Sequence, residues 1–335
     1  MKNLIFILVS LVLLSPLGCT SQGERIEKAK EHYDKGRVAY NTFTTQGFED
    51  AIAEYQKAIE QDENFAPAYA GLGETYSLQS LWKEQSDFKT DNDLREKSVE
   101  FSKKSTELSS DSGDSHRALA SSYRILGEFE NAKIEAEKSI ELNPKDSEAY
   151  YILWTVTGAD VNSKYIKKAL ELNPELSIAR NDLGYIYLTK GNYERATEHL
   201  KRAIEANPDL IQAYINLGLT LAAQGKFDEA QKEYRKAIDI DSQFLPAHYN
   251  LGVALGNQGN LGEAISEFEE TIEINPDFPE AYMTLALAFE TKGEKEKAIE
   301  NYEKFVDLAS QNMTRYKNLV SDAKTRIENL EKGQG

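Results

Sequence analysis

Apolar residues recur at helical spacing along most of the chain, and the pattern repeats every 34 residues. Each repeat holds two amphipathic segments, with a glycine between them in most repeats and, in four repeats, an Asn-Pro pair after the second. This pattern predicts pairs of helices, A and B, joined by a tight turn. Four ladders carry the period: Pro174, Pro208, Ser242 and Pro276; Gly184, Gly218, Gly252 and Ala286; Gly191, Gly225, Gly259 and Gly293; Ala196, Ala230, Ala264 and Ala298.

The residue types in these ladders have physical reasons. The small residue in helix A lets the two helix backbones approach, and we expect it to face the alanine of helix B. The glycine between the helices permits the positive φ that helix C-termini commonly need. Proline disfavours helical geometry in the residue before it, so each Asn-Pro pair ends a helix B. Bulky residues fill the remaining inner positions, which predicts that most of the tyrosines belong to the core.

These repeats resemble tetratricopeptide repeats, and the resemblance covers residues 32–312. It implies an all-α fold: a right-handed superhelical solenoid of about eight helix-turn-helix units. A further amphipathic segment, 313–332, is expected to cap the solenoid, with Tyr316, Leu319, Val320, Ala323, Ile327 and Leu330 on its apolar face. The predicted units are 32–65, 66–112, 113–146, 147–176, 177–210, 211–244, 245–278 and 279–312.

Three units depart from the pattern. Unit 66–112 carries extra residues around 79–92, including Trp82 and Phe88, which either contact a partner or fold back to extend the helical hairpin. Unit 147–176 is four residues short and places Asn162 in the alanine slot of helix B. The first unit is weak because it lacks the terminal proline.

The N-terminus has the features of an export signal. Lys2 is followed by an apolar run over 4–14, too short to span a membrane as a mature helix, and then by Gly18-Cys19. This segment resembles a bacterial lipoprotein signal, although Pro16 stands where such signals carry an aliphatic residue. The resemblance implies cleavage of 1–18, lipidation (palmitate) of Cys19, and a short tether with the start of the first helix over 19–31. The alternative is a soluble secreted protein.

Charge and composition exclude several kinds of function. The chain has 56 acidic and 39 basic residues and a formal net charge of −17, which opposes nucleic-acid binding. Cys19 is the single cysteine, so no internal disulfide or cysteine metal cluster can form. No phosphate-binding glycine loop, zinc-protease motif or nucleophile elbow is present, and we expect neither a cofactor nor a catalytic site. His116 and His248 occupy an inter-helix slot and are expected in or near the core.

The concave surface of helices A is the expected partner site. In the C-terminal units it combines apolar side chains with amides, and amides can bond a peptide main chain through both donor and acceptor. Asn216 and Asn250, preceded by Asp182, form an asparagine ladder that either grips a peptide or has a structural role. The remaining members of this predicted groove are Ile215, Leu219, Tyr249, Val253, Met283 and Leu287.

A second candidate lies in the middle of the groove. Arg117, Ser121 and Arg124 share one helix face, where the arginines could bind an acidic segment or a carboxylate. The competing interpretation is an intramolecular pair such as Arg117 with Glu148.

The sequence therefore favours a non-enzymatic scaffold, anchored by its lipid to a bacterial envelope membrane, inner or outer, and facing the periplasm or the surface. Its partner would be a segment or helix of an envelope protein. The scaffold could act in the assembly of the envelope or of a secretion or pilus complex. Two other functions are kept open: a glycan or small-ligand receptor, which needs a closed cavity, and an enzyme using paired groove carboxylates.

Overall fold

The computed structural model describes residues 21–87 and 91–333, and in these ranges it is an all-helical solenoid. No helix in the described ranges is both long and apolar enough to cross a membrane. The helices are α1 (Gln22–Tyr40), α2 (Thr45–Gln61), α3 (Ala66–Asp87), α4 (Asn92–Leu108), α5 (Gly113–Ile125), α6 (Phe129–Leu142), α7 (Ser147–Val156), α8 (Lys164–Leu172), α9 (Ser177–Thr189), α10 (Tyr193–Ala206), α11 (Ile211–Ala223), α12 (Phe227–Ile240), α13 (Leu245–Asn257), α14 (Leu261–Ile274), α15 (Pro279–Lys292), α16 (Lys295–Ala309) and α17 (Met313–Glu331). Each odd-numbered helix up to α15 packs against the even-numbered helix that follows it. The predicted fold class is confirmed.

The turns between helices follow from local chemistry. All four glycines of the third ladder have positive φ, between 72° and 81°, as predicted. The asparagine before each proline adds a function that the pattern did not reveal. Asn207, for example, ends α10, and its Oδ1 accepts a hydrogen bond from the backbone N–H of Asp209 at 3.0 Å. The Asn-Pro pair therefore stops one helix and orders the turn into the next.

The small residues of helix A have a different partner from the one expected. A Cβ built on Gly218 would lie 2.4 Å from the ring of Tyr234, and one built on Gly252 would lie 2.6 Å from the ring of Phe268. The glycines therefore make room chiefly for a bulky side chain one turn beyond the helix-B alanine. The alanines themselves, such as Ala230 and Ala264, are fully buried.

In unit 147–176, which is four residues short, a tryptophan fills the space between the helices. Helix α8 begins only at Lys164, so Asn162 lies exposed in the preceding loop and does not occupy a helix-B slot. Trp154 stands where the neighbouring units have Ala120 and Gly184, is fully buried, and donates a hydrogen bond from Nε1 to the carbonyl of Asp160 at 2.8 Å. The shortened helix leaves space that the indole fills.

The capping helix covers the last apolar surface, burying Tyr316, Val320, Ala323 and Leu330. Leu319, which was expected on the same face, is instead 43% exposed. In α17, Leu319 lies at the edge of the apolar face formed by the four buried residues.

The superhelix closes on itself, which the repeat period did not predict. Helix α3 extends to Asp87, and its residue Trp82 packs against Phe48 of α2 and Phe244 at the start of α13, with ring centres 5.7 and 5.2 Å away. Nearby, Asn207 donates a hydrogen bond to the carbonyl of Asn41 at 3.0 Å. We call this contact between the first two units and units 177–210 to 245–278 the closure seam.

Candidate functional site

A cavity of about 590 Å³ lies inside the closed part of the superhelix. Its walls come from the inner faces of α1, α3, α5, α7 and α9 and from the turn before α11. One side is apolar and aromatic, with Tyr40, Phe43 and Trp82, whereas the other carries ionised groups and amides. The volume falls in the range typical of small-molecule sites, about 300–1,000 Å³. The closure seam is what converts an open groove into this cavity.

A buried ionic cluster forms the floor of the cavity. Glu74, only 4% exposed, accepts hydrogen bonds from Arg37 at 2.8 Å and from Arg117 at 2.7 Å. Arg117 also bonds Asp146 at 2.8 Å and lies 3.4 Å from Glu148. Although burial opposes ionisation, the two guanidinium groups hold the pKa of Glu74 below its usual value. Burial dominates at Glu148 and raises its pKa.

Arg117, one of the predicted partner-binding arginines, therefore forms its ion pairs within the chain. The pairing with Glu148 that the sequence suggested is present, but Glu74 and Asp146 are its closer partners. Burial of all three residues makes Arg117 part of the fold and removes it from the candidate contact surface.

Asp182 also belongs to the cavity wall and has intramolecular partners. Its carboxylate accepts a hydrogen bond from the Tyr151 hydroxyl at 2.6 Å and from Asn181 at 3.2 Å. Burial raises the pKa of Asp182, against the opposing effects of these bonds and of the Arg124 charge. Asn216 joins the same chain of contacts by donating to Asn181 Oδ1 at 2.9 Å.

Two cavity residues have a buried polar atom without a partner among the described residues: Arg124 through Nε and Gln212 through Oε1. Arg124 has no ion pair in the described ranges, in contrast to Arg117 on the same helix. Of the two predicted partner-binding arginines, Arg124 is the one that lines the cavity.

The remaining predicted groove residues form a strip along α11, α13 and α15. Ile215 and Met283 are buried, whereas Leu219, Tyr249, Val253 and Leu287 are half-buried. Asn250 on this strip donates to the Pro246 carbonyl of its own helix at 2.7 Å. We call these seven residues, together with Asn216 between Ile215 and Leu219 on α11, the C-terminal strip. Asn250 and Asp182 do not share contacts in the structure, so the asparagine ladder is divided between the strip and the cavity.

The other sequence expectations have mixed outcomes. Cys19 and Phe88 lie outside the described residues. Trp82 is 8% exposed and packs inward, so it is not a free contact residue. His248 is buried and His116 half-buried, and each bonds a helix-B glutamate, Glu267 and Glu135 respectively. No group of residues in the described ranges has the geometry of a metal site.

The geometry also bears on acid–base chemistry. Glu148 and Asp182 both line the cavity and both have raised pKa values, a combination common in catalytic pairs. Glu148, however, lies between Arg117 and Arg37, and Asp182 is held by Tyr151 and Asn181. Each carboxyl thus has structural partners that account for its position.

Sequence reasoning missed the cavity residues contributed by the first two units. Arg37, Glu74 and Trp82 come close to Asp182 and Gln212 only because the superhelix closes. A buried charge inside a helix of mostly apolar pattern, as at Glu74, is the signal that could have indicated an internal ionic cluster.

Comparisons with known proteins agree with this architecture. Models described as TPR or tetratricopeptide repeat match residues 44–80, 116–146, 165–198, 184–225, 219–259 and 249–312, well over half of the chain. The chain belongs to the tetratricopeptide repeat family. A comparison with curated protein sequences finds no match.

Solved structures of this family share the fold at low identity. PilF of Pseudomonas aeruginosa aligns with a TM-score of 0.54 and 17% identity over 63% of this chain and 97% of its own. PilW, described as a type IV pilus biogenesis factor, gives 0.52 and 19% over 61% and 94%. The APC/C assembly Cut9–Hcn1 gives 0.62 and 16% over 91% of this chain and 55% of that chain. At these identities the likeness concerns the fold.

Proposed function

We propose that this tetratricopeptide protein is a non-enzymatic scaffold that holds a segment of another protein on its C-terminal strip. The observation that carries the proposal is the exposure of the strip. Leu219, Tyr249, Val253 and Leu287 are half-buried side chains on successive inner helices. A row of apolar side chains on neighbouring helices, with an amide among them, suits an extended or helical peptide with apolar anchors.

The amides define how such a segment is held. Asn216 and Asn250 use their N–H groups inside the chain, to Asn181 and Pro246. Their Oδ1 atoms are the groups left to accept from a partner, so we expect bonds from main-chain N–H groups. PilW supports an envelope role by analogy, since it is described as a type IV pilus biogenesis factor.

We further propose that the chain is anchored in a bacterial envelope membrane through lipid on Cys19. The support is the sequence of the N-terminal segment alone. One or two acyl chains would hold the solenoid at the surface without spanning the bilayer. Labelling with palmitate in living cells tests this: the label should be lost in Cys19→Ser, and labelling that persists in that variant would overturn the anchor.

Photo-crosslinking tests the strip. A crosslinking residue at Val253 should capture a defined partner in intact membranes, identified by mass spectrometry, and the yield should fall with Asn216→Ala/Asn250→Ala. Asn301→Ala is the matched control, because Asn301 is an amide on α16 that makes the same bond, to the carbonyl of Lys297 at 2.9 Å. Equal capture by the double variant and the control would contradict the role of the amides.

A further inference from the structure

Five helices A are tied to the turn before them by the same kind of side-chain bond. In each of them the fourth residue of the helix donates a hydrogen bond to the backbone carbonyl six residues earlier, over 2.6–3.1 Å. These bonds join Tyr69 to Glu63, His116 to Ser110, Arg180 to Pro174, His248 to Ser242, and Tyr282 to Pro276. Tyrosine and arginine keep their protons at neutral pH, so of these five donors only the histidines change protonation there.

His248 has an acceptor at each of its two ring nitrogens. Nε2 lies 3.1 Å from the carbonyl oxygen of Ser242, and Nδ1 lies 2.8 Å from a carboxylate oxygen of Glu267. A carbonyl and a carboxylate only accept, so both nitrogens must carry a proton for both bonds to form. A neutral ring, in either tautomer, would turn one lone pair towards an oxygen. The two contacts therefore require the imidazolium form.

The charges around the ring favour the same form. Burial lowers the pKa of His248, but the bonds to Glu267 and to the turn carbonyl, with the charges of Glu267 and Glu270, outweigh it and hold the pKa above its usual 6.5. Both glutamates lie on α14. The charged residues where α12 ends, Asp239 and Asp241, are acidic as well, so they also favour a cation.

The turn that contains Ser242 belongs to the closure seam. It connects α12 to α13, and at its end Phe244, which is 2% exposed, packs against Trp82 of α3. At its start Asp241 accepts a hydrogen bond from Thr45 of α2 at 3.3 Å. Because Ser242 lies between these two contacts, the position of its carbonyl is coupled to both of them.

We propose that His248 is a pH-sensitive switch for the closure seam. As an imidazolium it fixes the turn that places Phe244 against Trp82. When the ring loses a proton, one of its two bonds gives way to a repulsive contact between lone pairs, the turn is released, and the seam opens. Opening widens access to the cavity. The switch goes beyond the scaffold function and does not depend on a partner at the C-terminal strip.

The direction of the switch follows from the linkage between protonation and closure. The closed form binds the proton of His248 more tightly than an open form in which the ring is solvated. Closure is therefore favoured fully below about pH 6.5, and this contribution is lost as the pH rises through the pKa of His248 in the closed form. Burial lowers the pKa of His199, so that ring titrates in the opposite direction from 6.5 and can be told apart.

Acrylamide quenching of tryptophan fluorescence, recorded on the whole chain from about pH 5.5 to about pH 9, tests the switch. Trp82 belongs to the seam, whereas Trp154 is fully buried elsewhere, so a change in quenching reports on the seam. Quenching should rise with a midpoint that coincides with the titration of His248, followed by nuclear magnetic resonance of the histidine rings. Small-angle X-ray scattering should give a larger radius of gyration at the alkaline end.

Variants separate His248 from the other titrating groups. His248→Gln, whose amide can still donate to the turn carbonyl but does not titrate, should lose the transition. Glu267→Gln should lower the midpoint by about one pH unit or more, since it removes the opposite charge beside the ring. His116→Gln is the matched control and should keep the transition, because His116 makes the same two contacts, to Glu135 and Ser110, at a turn that carries none of the seam contacts described above.

Circular dichroism at each pH checks that helical content is unchanged. A transition that persists in His248→Gln, a transition that is lost in His116→Gln, or quenching of the wild type that stays constant while His248 titrates would overturn the proposal.

Discussion

The ring of Trp82 lies 5.2 Å, centre to centre, from the ring of Phe244, joining the second unit of the solenoid to the end of the sixth. In a repeat array each unit normally contacts only its neighbours, so its shape follows from small rotations added along the chain. Here a long-range contact adds a second constraint. It closes the superhelix and creates the cavity.

Trp82→Ala should open the closure seam. Truncating a buried aromatic costs about 3–5 kcal/mol, but the solenoid units keep their neighbour contacts, so helical content should remain high. We expect a larger radius of gyration by small-angle X-ray scattering and a lower Tm. Tyr185→Ala is the control, because Tyr185 is 49% exposed. An unchanged radius of gyration in Trp82→Ala would show that other contacts hold the seam.

Gly252→Ala should destabilise the protein through one methyl group. The new Cβ would lie 2.6 Å from the ring of Phe268, which is 3% exposed and has no free space to move into. Overpacking of this kind costs about 1–3 kcal/mol. Denaturant unfolding followed by circular dichroism measures it.

Gly262→Ala is the matched control for that substitution. Gly262 is also helical, but nothing lies within 4 Å of its built Cβ. The only effect should be a gain in helix propensity below about 1 kcal/mol. Loss of stability in both variants would mean that backbone geometry, and not the contact with Phe268, limits these positions.

Arg117→Leu should be severely destabilising. It leaves Glu74 and Asp146, which are 4% and 6% exposed, without their shared guanidinium. Breaking a buried ion pair from one side costs about 3–5 kcal/mol. Arg202→Leu, which removes an exposed pair with Glu198, should change the Tm little. Comparable Tm values for the two variants would contradict a structural role for Arg117.

Asp182→Asn should stabilise the protein at neutral pH. The pKa of Asp182 in the folded protein is raised above its usual 3.8. The carboxyl therefore ionises less readily in the folded than in the unfolded chain, and the free energy of unfolding falls as the pH rises from the unfolded to the folded pKa. Asparagine removes this charge and can still accept from Tyr151 through its carbonyl oxygen. The Tm gain over wild type should therefore be absent below about pH 4, grow as the pH rises through the folded-state pKa of Asp182, and stay constant above it.

Asp209→Asn provides the comparison for the charge change alone. Asp209 is exposed and sits in the turn before α11, so the same substitution should leave the pH dependence of the Tm like that of wild type. A gain in Asp182→Asn that stays constant from pH 4 to pH 8 would show that it does not arise from ionisation of Asp182.

The sequence by itself determined the local architecture. Glycines such as Gly225 require positive φ, prolines such as Pro208 stop helices, and small residues such as Gly218 permit close packing, and each effect acts between residues near in the chain. Because these constraints are local, they recur with the period and can be read from it. The fold class, the turns between helices and the position of the capping helix could therefore be predicted from the sequence.

Tertiary structure alone decided where the array closes, with the first two units against the fifth to seventh. The closure depends on rotations summed over several units, on the four-residue shortening beside Trp154 and on the extension of α3 that carries Trp82. Because these contributions add over units that are distant in the chain, no local pattern encodes the contact. Arg117 and Arg124 lie seven residues apart on one helix face, yet carboxylates of its own and the adjacent units surround the first, whereas Nε of the second has no partner in the described chain.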